Sequence, residues 1–306
     1  MYQSLQGTIY ALIAGICWGF SGTVGQFLFS HTAIDSGWLT TVRLLVSGLI
    51  LLVMAAIQRP QSVTGVWKNR RDALQLVFFG IAGLMAVQYC YMEAIFYSDS
   101  GTATAVQYTG EAMLLVYTCI AARRLPRRSE FFGLVLALFG IFLLATHGSF
   151  SGLVLSPAGL FWGLTAAVAL MIYTASPCRL IEKYGSISIT AQGMLIGGLA
   201  LGLLLRVWNI PGAYTPEALA GIAAIVLIGT VLGFTIYLKS TVLIGPLKAG
   251  LIAAVETVSA PFFSRVWLKT PFQPVDYLGF LCILSMVFLI SLPELRKERA
   301  QAPQNS

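Results

Sequence analysis

The stretch Gly245–Pro271 reads GPLKAGLIAAVETVSAPFFSRVWLKTP, an apolar segment with one carboxylate, Glu256, near its middle. An ionisable side chain at the centre of a lipid-spanning helix costs at least a few kcal/mol, so Glu256 is predicted to face a cavity or a partner helix. Gly101–Pro126, GTATAVQYTGEAMLLVYTCIAARRLP, is its counterpart in the first half of the chain. Glu111 precedes the closing proline by 15 positions, as Glu256 does. The other helices are therefore predicted to be arranged around these two segments.

The composition of the chain is that of a membrane protein. Of its 306 residues, 57% are hydrophobic and 10% are charged, and the mean hydropathy is +0.81. Soluble domains carry about 25% charged residues, so a soluble protein of this length would have too little polar surface. An all-α polytopic membrane protein is predicted. The net charge of +7 comes from basic residues concentrated in the loops on one side of the membrane, so no nucleic-acid partner is expected.

Segments of about 20 mostly apolar residues fit the thickness of a bilayer, and ten segments of the chain match this template. They divide into two five-helix repeats, 1–150 and 151–293, followed by a polar cytoplasmic tail, 294–306, that is predicted to be disordered. The ten spans are predicted at Thr8–Phe29, Gly37–Ile57, Ala73–Phe96, Gly101–Ala122, Glu130–Thr146, Pro157–Ala175, Ile187–Val207, Glu217–Leu238, Pro246–Leu268 and Val275–Leu292.

The basic residues orient these spans. Of the 19 Lys and Arg residues, 15 fall in the loops after the second, fourth, sixth and eighth spans and in the C-terminal tail. Only Arg206, Arg265 and Lys269 fall on the opposite side, and Arg43 lies within a span. Basic loops stay in the cytoplasm, which predicts an inner (plasma) membrane protein with both termini cytoplasmic. Because each repeat has five spans, the second must be inverted, and the fourth and ninth spans must be antiparallel.

Glu111 and Glu256 are the strongest candidates for binding chemistry, because both lie near mid-depth of their spans. Thr104, Gln107, Tyr108 and Glu111 recur at helical spacing, and this polar stripe is predicted to line a central cavity. One or both glutamates would bind a cationic or amino group of a substrate, or would exchange a coupling proton with it. The structural alternative is a hydrogen-bonded glutamate that only ties helices together.

Arg43, in the outer half of the second span, is a candidate for binding a substrate carboxylate. A fixed ion pair, with Glu93 as a suggested partner, is the alternative. Trp18 and Tyr108 are candidates for an aromatic cavity wall, against ordinary packing. Together these considerations predict a substrate site formed by Glu111, Glu256, Tyr108, Gln107, Trp18 and Arg43, with Glu256 and Glu111 as the coupling-ion candidates.

No metal or cofactor site is predicted. The five cysteines form no CxxC pair, and neither histidine has a ligand at metal-binding spacing. Nucleotide-binding loops and hydrolase motifs are absent from the sequence. Gly193, Gly197, Gly198 and Gly202 form small-xxx-small faces that serve either packing within the chain or a homodimer contact.

Several motifs resemble those of the EamA-type branch of the drug/metabolite transporter superfamily. They are AGICWG at Ala14–Gly19, Arg43 within Thr40–Leu45, SGTATA at Ser100–Ala105, the Gly-rich fifth span, Tyr237–Lys239 with GPLKA at Gly245–Ala249, and Val255–Glu256. The resemblance covers residues 7–292 and implies ten helices in two repeats and transport of a small metabolite.

The chain also departs from the pattern of this family. Relatives often have proline directly after the glutamate of the ninth span, whereas Thr257 follows Glu256 here and the proline is Pro261. Relatives often have a proline near Gly110 and Glu111, and at the exit of the ninth span they often carry a second glutamate where this chain has Lys269. The hinges of the two central helices are therefore expected to have moved.

The sequence as a whole predicts a secondary active transporter. It would export or exchange a small polar or amphipathic, amino-acid-like metabolite by alternating access. A multidrug transporter of lipophilic cations is the alternative within the same class. An intramembrane enzyme or a sensor is the alternative from another class, but the sequence has neither a cluster of acid, base and metal ligands nor an appended soluble domain.

Overall fold

The computed structural model describes residues 2–149, 152–207 and 215–301, and within these ranges the chain is helical, without strands. The described residues form fourteen consecutive α-helices and one 3₁₀ turn, Val66–Lys68, which separates α3 from α4. The helices are α1 Tyr2–His31, α2 Ser36–Gln58, α3 Pro60–Gly65, α4 Arg70–Tyr97, α5 Ser100–Tyr108, α6 Gly110–Ala121, α7 Arg128–Thr146, α8 Pro157–Ala175, α9 Cys178–Tyr184, α10 Ser186–Leu205, α11 Pro216–Ile244, α12 Pro246–Ala253, α13 Glu256–Trp267 and α14 Pro274–Gln301.

Eight helices in the described part of the chain are long and apolar enough to cross a membrane. They coincide with eight of the ten predicted spans. The predicted fourth and ninth spans are instead divided, into α5 with α6 and into α12 with α13. The segments that carry Glu111 and Glu256 are therefore the two that the structure interrupts.

Two of the long helices contain a wide π-helical stretch, Phe79–Met85 in α4 and Ile225–Leu232 in α11. In α11 the Thr230 hydroxyl donates to the Ile225 carbonyl five residues earlier, at 3.0 Å. π-turns are rare and concentrate at functional sites. The stretch in α11 lies against both α1 and α2, and it positions part of the candidate site.

Close antiparallel packing holds the helices together. Between α2 and α10, Gly48 lies against Leu195, and at the other end of the same pair Gly202 lies against Thr41. Three further helix pairs are antiparallel: α1 with α11, α4 with α8, and α7 with α14. The contacts that show this are those of Gly7 and Gly221, of Gly83 and Gly159, and of Gly133 and Gly279, respectively. Small residues are what allow membrane helices to approach this closely.

The glycine faces of α10 are used inside the chain. Gly193 and Gly197 lie against α4, where their neighbours are Phe79 and Met85, and Gly198 lies against Leu45 of α2. Of the two predicted uses of these glycines, packing within the chain is the one observed. A homodimer would need another surface.

The helices α7 and α14 begin in the same way. Glu130 accepts from the Arg127 backbone N–H at 2.6 Å, and Asp276 accepts from the Gln273 backbone N–H at 2.8 Å. Each carboxylate thus caps its own helix from the third helical position, where it also faces the positive end of the helix dipole. Asp276 additionally bonds His147 Nδ1 at 2.7 Å, which ties the start of α14 to the end of α7.

Asp72, near the start of α4, forms an ion-pair cluster with α9. Its buried carboxylate accepts from Arg179, from Lys183 Nζ at 2.7 Å and from the Tyr184 hydroxyl at 2.8 Å. The hydrogen bond that Lys183 donates to Asp72 raises the pKa of Lys183 above its ordinary value. The cluster ties a helix of the first predicted repeat to a short helix of the second.

The C-terminal tail differs from its prediction. Helix α14 continues to Gln301, well past residue 294, where disorder was predicted to begin. The reason is local, because the sequence Glu294–Ala300 is ELRKERA, composed of strong helix formers. Residues 302–306 and the predicted repeat boundary at 150–151 lie outside the described residues.

Candidate functional site

The first central helix is interrupted at Thr109, between α5 and α6. The Thr109 backbone N–H donates to Val106 at 3.1 Å, an i to i−3 bond, and the Thr109 hydroxyl donates to the same carbonyl at 2.6 Å. Gly110 lies against the backbone of Ala167 in α8, where a larger residue would not fit. The interruption ends α5 at Tyr108 and places Glu111 in the first turn of α6.

The second central helix is interrupted at Ala254 and Val255, between α12 and α13. The Val255 N–H donates to Ile252 and the Thr257 N–H donates to Ala254, again with i to i−3 spacing, and the Thr257 hydroxyl bonds Ala254 at 2.8 Å. Glu256 is the first residue of α13, which continues through Pro261 without a break. The interruption therefore lies beside the glutamate, where relatives often have proline, and not at Pro261, so the expectation that this hinge has moved is wrong.

The ends of the two interrupted helices meet at Glu256. The hydroxyl of Tyr108, the last residue of α5, donates to Glu256 Oε2 at 2.9 Å. The Glu256 side chain is buried, with 8% of the residue exposed. The structure thus brings together two of the residues predicted for the site.

Glu111 lies in a more open position than Glu256. It is partly exposed, on the first turn of α6, and both Tyr108 and Tyr237 lie within electrostatic range of its carboxylate. Tyr108 therefore stands between the two glutamates. The predicted stripe is interrupted here: Thr104 bonds the Tyr91 hydroxyl at 2.8 Å, and only Glu111 lies beyond the break at Thr109.

Arg43 is buried, with 5% of the residue exposed. Its Nε donates to the hydroxyl of Thr230, in the π-helical stretch of α11, at 2.8 Å. Glu93 instead accepts from the Ser36 hydroxyl at 2.5 Å, so the suggested Arg43–Glu93 pair is wrong. The charge of Arg43 interacts through space with Glu256, and this places both groups in one buried region.

Trp18 packs on an aromatic group of α11. Its ring centroid lies 5.4 Å from that of Phe234 and 5.1 Å from that of Tyr237. Gln107 is buried beside Tyr108 at the end of α5. Within the described part of the chain, no three His, Cys, Asp or Glu side chains are grouped so that they could hold a metal ion.

A polar network closes the region on one side of Glu256. Gln26 of α1 accepts from the Ser100 backbone N–H at 3.0 Å and from the Ser264 hydroxyl at 2.9 Å, and it donates to Thr270 at 3.0 Å. Gly101 packs directly on Pro261. Helices α1, α5 and α13 are thereby joined, and residues 100–107 are all buried, whereas α6 has several exposed residues.

Several residues around the site were not singled out from the sequence. Thr230, Ser21 and Ser47 lie in apolar runs where a single hydroxyl is a weak signal. Tyr237 attracted notice only as part of a family motif, although it contacts Trp18. The π-helical register of α11, which directs Thr230 toward Arg43, has no recognisable sequence pattern.

Comparisons with known proteins agree with this architecture. The sequence model of the EamA-like transporter family matches two segments, residues 5–146 and 157–292. One solved crystal structure shares the fold, with a TM-score of 0.65 at 16% identity over 95% of this chain and 98% of that chain.

Two curated bacterial proteins are similar over nearly their whole length. A protein of Salmonella typhimurium described as "uncharacterized inner membrane transporter YicL" is 35% identical over 300 residues, which cover 98% of this chain and all of that protein. The "uncharacterized transporter YcbK" of Bacillus subtilis is 21% identical over 308 residues, 96% of this chain and 95% of its own. The chain is a multi-pass membrane protein that belongs to the EamA-like transporter family.

Proposed function

We propose that this protein is a secondary active transporter that exports or exchanges a small, amino-acid-like metabolite. The observation that carries the proposal is the contact of Tyr108 with Glu256, where the ends of two interrupted helices meet in the interior. Discontinuous helices near the midplane form the substrate and ion sites of many secondary transporters. A buried carboxylate at such a junction suits an amino group of the substrate.

The proposed architecture has ten spans in two inverted repeats, 1–150 and 151–293, with α5 and α6 together as the fourth span and α12 and α13 together as the ninth. Three observations support it. The family model matches the chain in two segments, α7 and α14 begin with equivalent carboxylate caps, and each predicted repeat has one π-helical stretch and one interrupted helix.

Alternating access would rock the two repeats about the Glu256 junction. The Gln26 network joins α1, α5 and α13 on the side that the positive-inside rule assigns to the exterior. We propose that this network closes the site toward the exterior. The interruptions at Thr109 and at Ala254–Val255 would let the outer and inner helix halves move separately.

Glu256 and Glu111 are proposed to divide the binding and coupling roles. Glu256, which is buried and bonded to Tyr108, would bind the substrate amino group and exchange it for a proton. Glu111, which is partly exposed, would bind the substrate or the proton on the path between Glu256 and the cytoplasm. Both termini would lie in the cytoplasm, and the proposal needs no cofactor or nucleic-acid partner.

A multidrug transporter of lipophilic cations is the second candidate. It is favoured by the aromatic group of Trp18, Phe234 and Tyr237, which could stack on a flat cation.

The test is counterflow in proteoliposomes containing the purified protein, screened with amino acids, nucleosides and organic cations. The proposal predicts exchange of labelled amino acids at rates well above those of empty liposomes. Exchange restricted to lipophilic cations would instead support the second candidate. A folded protein that exchanges no compound of the panel would contradict the transporter proposal.

A further inference from the structure

Four buried hydrogen-bonding groups in one region of the described structure have no partner. They are Trp18 Nε1 and Ser21 Oγ on α1, and Arg43 Nη1 and Ser47 Oγ on α2. Buried polar groups in proteins are nearly always satisfied, so each exception needs an explanation. The two helices both pack against the π-helical stretch of α11, so four such groups on them indicate a shared cause.

Three of the four groups belong to residues that contact the π-helical stretch of α11 or the residue at its end. Ser21 lies directly against Gly229, and the Trp18 indole nitrogen lies against Gly233, one turn further along. The Nε of Arg43 donates to the hydroxyl of Thr230, the residue after Gly229. The Nη1 of Arg43 has no acceptor and can donate to a ligand. Ser47 lies one turn after Arg43 on the same face of α2.

The chemistry of the four groups selects an anion. A guanidinium and an indole N–H can only donate, and serine hydroxyls can donate as well. A planar carboxylate has two oxygens that accept several hydrogen bonds, and it matches the fork of an arginine. A dianionic phosphate is a poorer match, because Glu256 lies close enough to interact with the charge of Arg43.

We propose that Arg43, Ser47 and Ser21 form a carboxylate subsite, with the Trp18 indole N–H at its edge. The inference rests on the proposed transport function and specifies its substrate class. Glu256 would take the amino group and this subsite the carboxylate, so the protein would select zwitterionic α-amino acids over simple amines.

The first experiment compares matched probes in the counterflow assay: leucine with 3-methylbutylamine, phenylalanine with phenethylamine, and serine with ethanolamine. Each amine keeps the side chain and the amino group and lacks the carboxylate. We expect each amine to compete about 10- to 100-fold less well than its amino acid, the loss that follows when a charged hydrogen-bonded group is removed.

The second experiment uses Ser47→Ala with Ser240→Ala as its matched control. Both serines are fully buried, but Ser240 donates to the Gly7 carbonyl at 2.7 Å, whereas Ser47 has no partner. Ser47→Ala is expected to raise the half-saturating amino-acid concentration about tenfold without lowering the unfolding temperature. Ser240→Ala should lower the unfolding temperature and leave the half-saturating concentration unchanged.

The outcomes separate the subsite from the transport proposal. Equal competition by amines and amino acids would overturn the subsite while leaving amino-acid transport in place. A second result would also overturn the subsite: Ser47→Ala lowers the unfolding temperature as Ser240→Ala does and leaves the half-saturating amino-acid concentration unchanged. The Ser47 hydroxyl would then be structural or hydrated only. Absence of exchange for all six probes would overturn the proposed substrate class, and the subsite with it.

Discussion

The Tyr108–Glu256 hydrogen bond links the two interrupted helices at their breaks. The phenol holds one carboxylate oxygen at 2.9 Å, and the other oxygen of Glu256 is the one proposed to bind the substrate. A neutral phenol can donate to the carboxylate without neutralising it. Tyr108 therefore positions the charge and does not replace a cationic partner.

Tyr108→Phe is expected to reduce counterflow about 10- to 100-fold, because Glu256 loses its donor in a buried place where water cannot substitute freely. The ring itself still fills the space. Tyr117→Phe is the control, since Tyr117 lies on α6 with 55% of the residue exposed. Counterflow that is unaltered in Tyr108→Phe would show that the hydrogen bond does not matter for transport.

The residue types of the site could be predicted from the sequence, but their partners could not. Glu256, Tyr108 and Arg43 stand out because polar and charged groups are costly in a lipid-spanning segment. The partner of Arg43 is a threonine on a π-helical stretch, where the spacing of side chains departs from the α-helical period. A pattern based on that period cannot place Thr230 beside Arg43.

At the scale of elements, both interruptions are built from threonine hydroxyls. Thr109 and Thr257 each donate their hydroxyl to a carbonyl three residues earlier, which also accepts the backbone N–H of the same threonine. The sequence predicted continuous helices here because both segments lack a proline at the break and remain apolar throughout. The absence of the family's usual prolines suggested that the hinges had moved, but both breaks lie beside the glutamates, where relatives often have those prolines.

Gly110→Ala tests the interruption of the first central helix. An alanine Cβ would overlap the Ala167 carbonyl oxygen of α8, which is backbone and cannot move aside. Overpacking costs about 1–3 kcal/mol, more than the gain of up to about 1 kcal/mol from replacing glycine in a helix. We expect a lower unfolding temperature and a loss of counterflow.

The control for this substitution is Gly152→Ala, because a Cβ at Gly152 would meet no atom within 4 Å. It should change neither stability nor counterflow. An unchanged unfolding temperature in Gly110→Ala would show that α6 and α8 are not in close contact.

Asp72→Asn tests the ion-pair cluster between α4 and α9. The raised pKa of Lys183 means that the cluster stabilises the fold at neutral pH, and that this contribution is lost as the pH rises through the raised value, above the ordinary 10.5. The variant should unfold at a lower temperature than wild type at pH 7, and the difference should shrink at strongly alkaline pH. A difference that is independent of pH would argue against the Lys183 bond.

At the scale of the whole molecule, the sequence predicted the fold class and most of the spans. Bilayer thickness sets the length of the apolar segments, and the positive-inside rule depends on where the basic residues lie, so both can be applied to the sequence directly. Eight predicted spans coincide with long helices. The short helices α3 and α9 were missed, because they lie in connections that carry no long apolar run.

The natural cysteines offer a test of topology. Cys178 is exposed on α9, whereas Cys17, Cys90, Cys119 and Cys282 are buried. Because α9 follows the sixth predicted span, Cys178 should react with a membrane-impermeant maleimide in inside-out vesicles and not in intact cells, and Cys178→Ser should abolish the labelling. Labelling in intact cells would place this loop outside and invalidate the assigned orientation.

The most direct test of the account is counterflow of amino acids by Glu256→Gln in proteoliposomes, beside wild type and the control Glu182→Gln. Glu182 is exposed on α9, away from the interrupted helices. The account predicts exchange by wild type and by Glu182→Gln, and loss of exchange in a Glu256→Gln protein that remains folded. Exchange by Glu256→Gln at the wild-type rate would contradict the claim that the substrate binds where the two interrupted helices meet.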